Sequence, residues 1–112
     1  MTVAELERRV AATKRQLAEV GELRPGILTE QYNVCGKPSC RCKANPPQRH
    51  GPYQQLGWTR NGKSTTRFVR REELATVRRQ TKNYARLQEL VKQWVDLSLQ
   101  LCELKRADAR AK

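Results

Sequence analysis

Tyr53-Gln54-Gln55-Leu56-Gly57-Trp58-Thr59 and Lys63-Ser64-Thr65-Thr66-Arg67-Phe68-Val69-Arg70 lie on either side of Arg60-Asn61-Gly62. Two runs rich in aromatic and β-branched residues, separated by Asn-Gly, read as a β-hairpin, because Asn and Gly tolerate the left-handed backbone of a tight turn. Two registers compete. A two-residue loop sets Leu56 opposite Arg67, whereas a three-residue loop with Gly62 left-handed pairs Leu56 with Thr66 and brings Phe68 onto the face of Leu56 and Trp58. The second is expected, since one apolar face has to be buried.

Before the hairpin, residues 35–52 hold three of the four cysteines, the only histidine and four of the five prolines. Regular structure is excluded there, and the segment is a loop that needs a staple. Upstream, Ile27 to Val34 alternates as a short strand, with Leu28, Tyr32 and Val34 on one side together with Glu30. Thr2 and Glu5 form a capping-box signature ahead of Val3, Leu6, Val10, Leu17 and Val20 at three- and four-residue steps. A first helix over 2–22 follows, with Thr13 the one polar step and Gly21, Pro25 and Gly26 as its stop.

After the hairpin no Gly or Pro occurs from Arg71 onward. A long helix over 71–106 is predicted, with 107–112 as a tail. Its apolar residues fall in two stripes. Leu74, Val77, Thr81, Tyr84, Val91, Val95 and Cys102 form one, on which Cys102 reads as a packed thiol. Leu87, Leu90, Trp94, Leu97, Leu101 and Leu104 form the other. The first helix covers one stripe; a second copy of the chain is the natural cover for the other, making Leu90, Trp94, Leu97, Leu101 and Leu104 the expected homodimer interface. The competing reading is a broad face packed on the first helix alone. Together these elements predict an α+β fold in a single domain, 1–112, with the helices packed as an antiparallel pair or a dimeric bundle.

The chain has 112 residues with 23 Lys and Arg against 11 Asp and Glu, a net charge of +12. The charge is not spread evenly. Residues 1–36 carry five bases and five acids, residues 87–112 five bases and four acids, and residues 37–86 thirteen bases against Glu72 and Glu73 alone. One-signed crowding of this kind costs self-repulsion and points to a polyanionic partner, most simply nucleic acid. The loop of residues 35–52 and the hairpin would present Lys37, Arg41, Lys43, Arg49, Arg60, Lys63 and Arg67. A basic arc of the long helix would add Arg71, Arg78, Arg79, Lys82 and Arg86. Tyr53 and Trp58 are candidates to stack on single-stranded bases, with Trp58 better placed in the core. No apolar run approaches the roughly 18 residues of a membrane span, and the acidic start lacks the basic region of a signal peptide. A soluble, cytoplasmic protein without a membrane partner is expected.

Cys35, Cys40, Cys42 and His50 follow the spacing C-x4-C-x-C-x7-H. Three thiolates and one imidazole complete a tetrahedral zinc set, and four protein ligands imply one structural ion. Lys37, Arg41, Lys43 and Arg49 offset the thiolate charge. Three other readings compete. Disulfides need an oxidising compartment and fit Cys40-x-Cys42 poorly. An iron–sulfur loop of the plant type would need one more residue between the last two cysteines. Catalytic zinc wants a nearby carboxylate, and residues 31–71 contain none. His50 could also be a plain surface histidine.

A single histidine excludes the His/His/Cys/Cys set of retroviral-type integrases, and the zinc-deaminase signature and phosphate-cradling glycine loops are missing. No enzymatic activity is expected. The block Cys35-Gly36-Lys37-Pro38-Ser39-Cys40-Arg41-Cys42, followed by His50-Gly51-Pro52-Tyr53, resembles the short, basic, cysteine-rich bacterial proteins of unknown function often described as hypothetical or transposase-related. The resemblance spans roughly residues 26–105. It implies a bacterial source and a link to mobile elements, and supplies no catalytic residues. The expectation is a zinc-stabilised nucleic-acid-binding protein, DNA favoured over RNA. The rival is an oligomeric coiled-coil adaptor that docks a partner protein.

Overall fold

The computed structural model describes residues 1–33, 38–44 and 50–111. The element order is α1 (Val3–Glu19), β1 (Ile27–Asn33), a 3-10 turn at Arg41–Lys43, β2 (His50–Arg60), β3 (Lys63–Val69), a second 3-10 turn at Arg71–Glu73, and α2 (Leu74–Ala111). The α+β class follows directly. The chain divides into two compact units, residues 24–81 and residues 1–23 with 82–112.

In the first unit the three strands form one antiparallel sheet in the order β1-β2-β3. The hairpin register differs from the expected one. Arg60 pairs with Lys63 and Leu56 with Arg67, so the loop is the two residues Asn61 and Gly62, at φ 52° and 75°. Two successive positive φ values are the signature of a type I′ turn, whose twist matches that of the strands, and this local preference outweighs burying Phe68. Phe68 stays 63% exposed. Val69, one residue on, takes its place. Leu56, Val69 and Val77 are the buried cluster, with Leu28, Trp58 and Leu74 packed against it. The first turns of α2 thus cover one face of the sheet.

Gly26 leads into β1 at φ 145°, and a Cβ there would stand 2.6 Å from Leu56 Cδ1. Only glycine combines that backbone with that proximity. Because Leu56 is fully buried beneath this point, Leu56→Ala removes the centre of a three-residue core. A loss of about 2–5 kcal/mol is expected by urea denaturation.

In the second unit α1 begins at Thr2, whose Oγ1 accepts from Glu5 N at 3.2 Å. It ends at Glu19, three residues short of the expected bound, because Val20 turns extended (ψ 127°). The Glu22 carbonyl beyond it accepts from Asn83 Nδ2 at 2.7 Å. Thr13 is buried, its hydroxyl donating to Arg9 O at 2.9 Å, so the one polar step of the stripe is satisfied by its own helix. Lys105 meets Glu7 at 3.5 Å and Arg86 donates to Gln16 at 3.3 Å. The helices are therefore antiparallel within this unit. Their outward ion pair adds little stability and serves as a marker of register.

Leu6 and Leu90 are fully buried here. That corrects the stripe assignment: Leu90 is enclosed in the monomer, while Leu97, Leu101 and Leu104 are half-buried and Trp94 is 36% exposed with Lys14 Nζ 5.6 Å from its ring centre. The open apolar positions are Val91, Val95 and Leu99, at 42%, 59% and 62% exposure. Cys102 is exposed too, not packed. A wheel shows two stripes but carries no label for which one α1 occupies. The helix continues to Ala111, so residues 107–111 are helical where a tail was expected. No helix among the described residues is long and apolar enough to cross a membrane.

Candidate nucleic-acid interface

The unit spanning residues 24–81 holds twelve Lys and Arg against Glu30, Glu72 and Glu73. Its cations reach the surface from three places. Arg41 and Lys43 sit on the 3-10 turn, closed by Lys43 N to Cys40 O and Ala44 N to Arg41 O, both 3.0 Å. Lys37 and Arg49 lie outside the described residues. Arg60 and Lys63 face each other across the hairpin tip, and Arg67 stands opposite Leu56; all three are exposed. Like charges directly opposite on paired strands destabilise the pair, so the tip keeps Arg60 against Lys63 at a cost that a bound anion would offset. Arg71, Arg78 and Arg79 are exposed on the second 3-10 turn and α2. In the other unit Lys82 and Arg86 are exposed, with Arg86 hydrogen bonded to Gln16.

Two ion pairs among the described residues, Lys105 with Glu7 and Arg106 with Glu103, lie in the helical unit. Neither engages Arg60, Lys63, Arg67, Arg71, Arg78 or Arg79. Positive charge that is exposed and carries no internal carboxylate partner is available to phosphate oxygens.

Of the four expected metal ligands, Cys40 is described, half-buried and just ahead of the 3-10 turn. Cys35 lies outside the described residues, as do the side chains of Cys42 and His50. Among the described residues no group of three or more His, Cys, Asp and Glu comes together, and the ligand set cannot be assembled from Cys40 alone.

The aromatic candidates separate cleanly. Trp58 packs on the core cluster and carries Arg24 over its ring, the guanidinium carbon 5.1 Å from the centroid. Its face is thereby used inside the fold. Tyr53 is 41% exposed and meets Phe68 edge to face, centroids 6.4 Å apart at 70°. Phe68, expected on the buried face, and the nearby Arg70, not singled out from the sequence, are both at the surface. The signal for them was the Asn61-Gly62 turn itself, since a two-residue loop puts Phe68 on the same side as Tyr53.

No curated protein and no solved structure matches the chain. Residues 3–79, covering α1, the whole sheet and the first turns of α2, match a domain of unknown function. The chain belongs to that family, DUF6788.

Proposed function

We propose that this chain is a non-enzymatic, zinc-stabilised nucleic-acid-binding protein, a bacterial accessory to a mobile element or a DNA-processing machine, with DNA preferred over RNA. The observation that carries the reading is the unit of residues 24–81, in which Lys and Arg outnumber carboxylates twelve to three and nine of those cations are exposed among the described residues. A surface evolved only for solubility mixes signs. The DNA preference and the mobile-element role rest on the resemblance of the C-G-K-P-x-C-x-C block to transposase-related proteins. The test is binding to a labelled duplex by Arg78→Ala and Arg79→Ala together. Both side chains are exposed, so the fold is retained. Binding should weaken uniformly across sequences, with the salt slope reduced by about 2, one per lost phosphate contact. An unchanged slope would exclude these residues from the interface.

A second reading, an oligomeric coiled-coil adaptor, is favoured by one observation: Val91, Val95 and Leu99 stand exposed at four-residue steps on α2. Such a stripe suits a neighbouring helix from a second copy. In light scattering the chain should run as a dimer and the Val95→Glu, Leu99→Glu variant as a monomer. A monomeric parent chain at micromolar concentration would sink this reading and leave nucleic-acid binding standing.

A further inference from the structure

The sheet has a face that the first turns of α2 leave uncovered. Strand alternation puts Tyr53, Gln55, Gly57 and Thr59 of β2 on it, beside Ser64, Thr66 and Phe68 of β3. The hydrogen bonds agree: Thr59 Oγ1 meets Ser64 Oγ at 2.9 Å on this side, and Gln31 Nε2 donates to Thr29 Oγ1 at 3.3 Å. Apart from Ile27, the other positions are Thr, Gln, Ser and Gly. No carboxylate falls on this face of the paired strands, for Glu30 pairs with Gln54 on the other side and accepts from its Nε2 at 3.3 Å.

Tyr53 and Phe68 also form one wall of an open groove, whose other lining includes Pro52, Arg70, Arg71 and Leu74. Among the described residues no acidic side chain lines it. Glu72 and Glu73 line a neighbouring groove with Arg67 and Val77, and Phe68 borders both grooves. Two exposed aromatic rings beside Arg70 and Arg71, in a groove whose described lining holds no carboxylate, offer a π-face for a base and guanidinium groups for the phosphates joining it to the next; Glu73 is turned to the Arg70 backbone, accepting from its N–H at 3.3 Å. A duplex keeps its bases stacked on each other and cannot use the rings.

We propose that the open sheet face is a stacking platform for single-stranded nucleic acid, with bases on Phe68 and Tyr53 and the backbone held by Arg70 and Arg71. This deepens the nucleic-acid reading above and rests on it. The complementarity is specific to a polyanion that presents flat apolar rings. Neither contact sees the 2′ position, so the platform itself treats DNA and RNA strands alike, and the DNA preference proposed above belongs to the cations that meet duplex phosphates.

Fluorescence anisotropy of the full chain with oligothymidylate, oligouridylate and a duplex of equal length tests it. The two single strands should bind within about threefold of each other, and Phe68→Ala or Tyr53→Ala should weaken both by about tenfold or more. Duplex affinity should change by less than about twofold in either variant. Phe68→Trp should retain single-strand binding, with its emission quenched on addition of oligothymidylate. Phe68 is too exposed for its loss to unfold the chain, and an unchanged circular dichroism spectrum checks this. Alanine variants that leave single-strand affinity unaltered, or weaken duplex and single strand equally, overturn the platform while duplex binding preserves the broader reading. A parent chain that binds no nucleic acid overturns both.

Discussion

Chelating the proposed zinc should cost the 24–81 unit most of its stability, and Cys40→Ser should do the same. Among the described residues Leu56, Val69 and Val77 make up the buried apolar cluster of this unit, with Leu28, Trp58 and Leu74 packed against it. Three such side chains contribute on the order of 5–9 kcal/mol of burial at about 1.5–3 kcal/mol each, before the entropy of ordering the chain is charged against it. A structural zinc contributes apparent free energies of about 10–16 kcal/mol, which becomes folding energy when no site exists in the unfolded chain. A zinc ion held as proposed would therefore outweigh the core. Elemental analysis of unheated protein should return one equivalent of zinc, and removal should abolish the sheet signal in circular dichroism until zinc is restored. Cys102→Ser, at an exposed position on α2, should leave both unchanged. Less than half an equivalent of metal, with an unaltered melting curve after chelation, would refute the staple.

The second large effect is the response of binding to salt. If eight of the cations named above meet phosphates, the plot of log K against log salt should fall with a slope of roughly −7. Raising salt from about 50 to 200 mM would then weaken binding by on the order of ten-thousandfold. That magnitude discriminates, because an adaptor whose contacts are apolar gains from added salt or ignores it. A flat titration on duplex DNA, single-stranded DNA and RNA would remove nucleic acid as the partner.

The elements of this chain were readable where one signal dominated. Thr2 and Glu5 announced α1, the glycine-free run from Arg71 announced α2, and Asn61-Gly62 announced the hairpin. Choices between two satisfactory partners were not. Phe68 and Val69 are adjacent and both apolar, so burial alone does not decide which of them faces the helix, and the turn geometry did. On α2 the stripes of Leu90 and of Val91 and Val95 are comparable in size, and only the packing of α1 selects the one that closes over Leu90. The cationic surface was visible from charge alone, because nothing local competes with it. The groove beside Tyr53 was not, since it exists only once the register is known.

The two-residue tip has a consequence for which changes the hairpin can absorb. Its length sets the parity of β3. Inserting one residue between Arg60 and Lys63 would turn Ser64, Thr66 and Phe68 toward the helix and expel Arg67 and Val69, exchanging the inner and outer surfaces of the strand in a single step. Inserting two would leave every side chain facing as before, with only the loop enlarged. Tolerance to insertion at this tip should thus alternate between odd and even, and the same count of two that fills the core also decides which rings the sheet shows to a ligand.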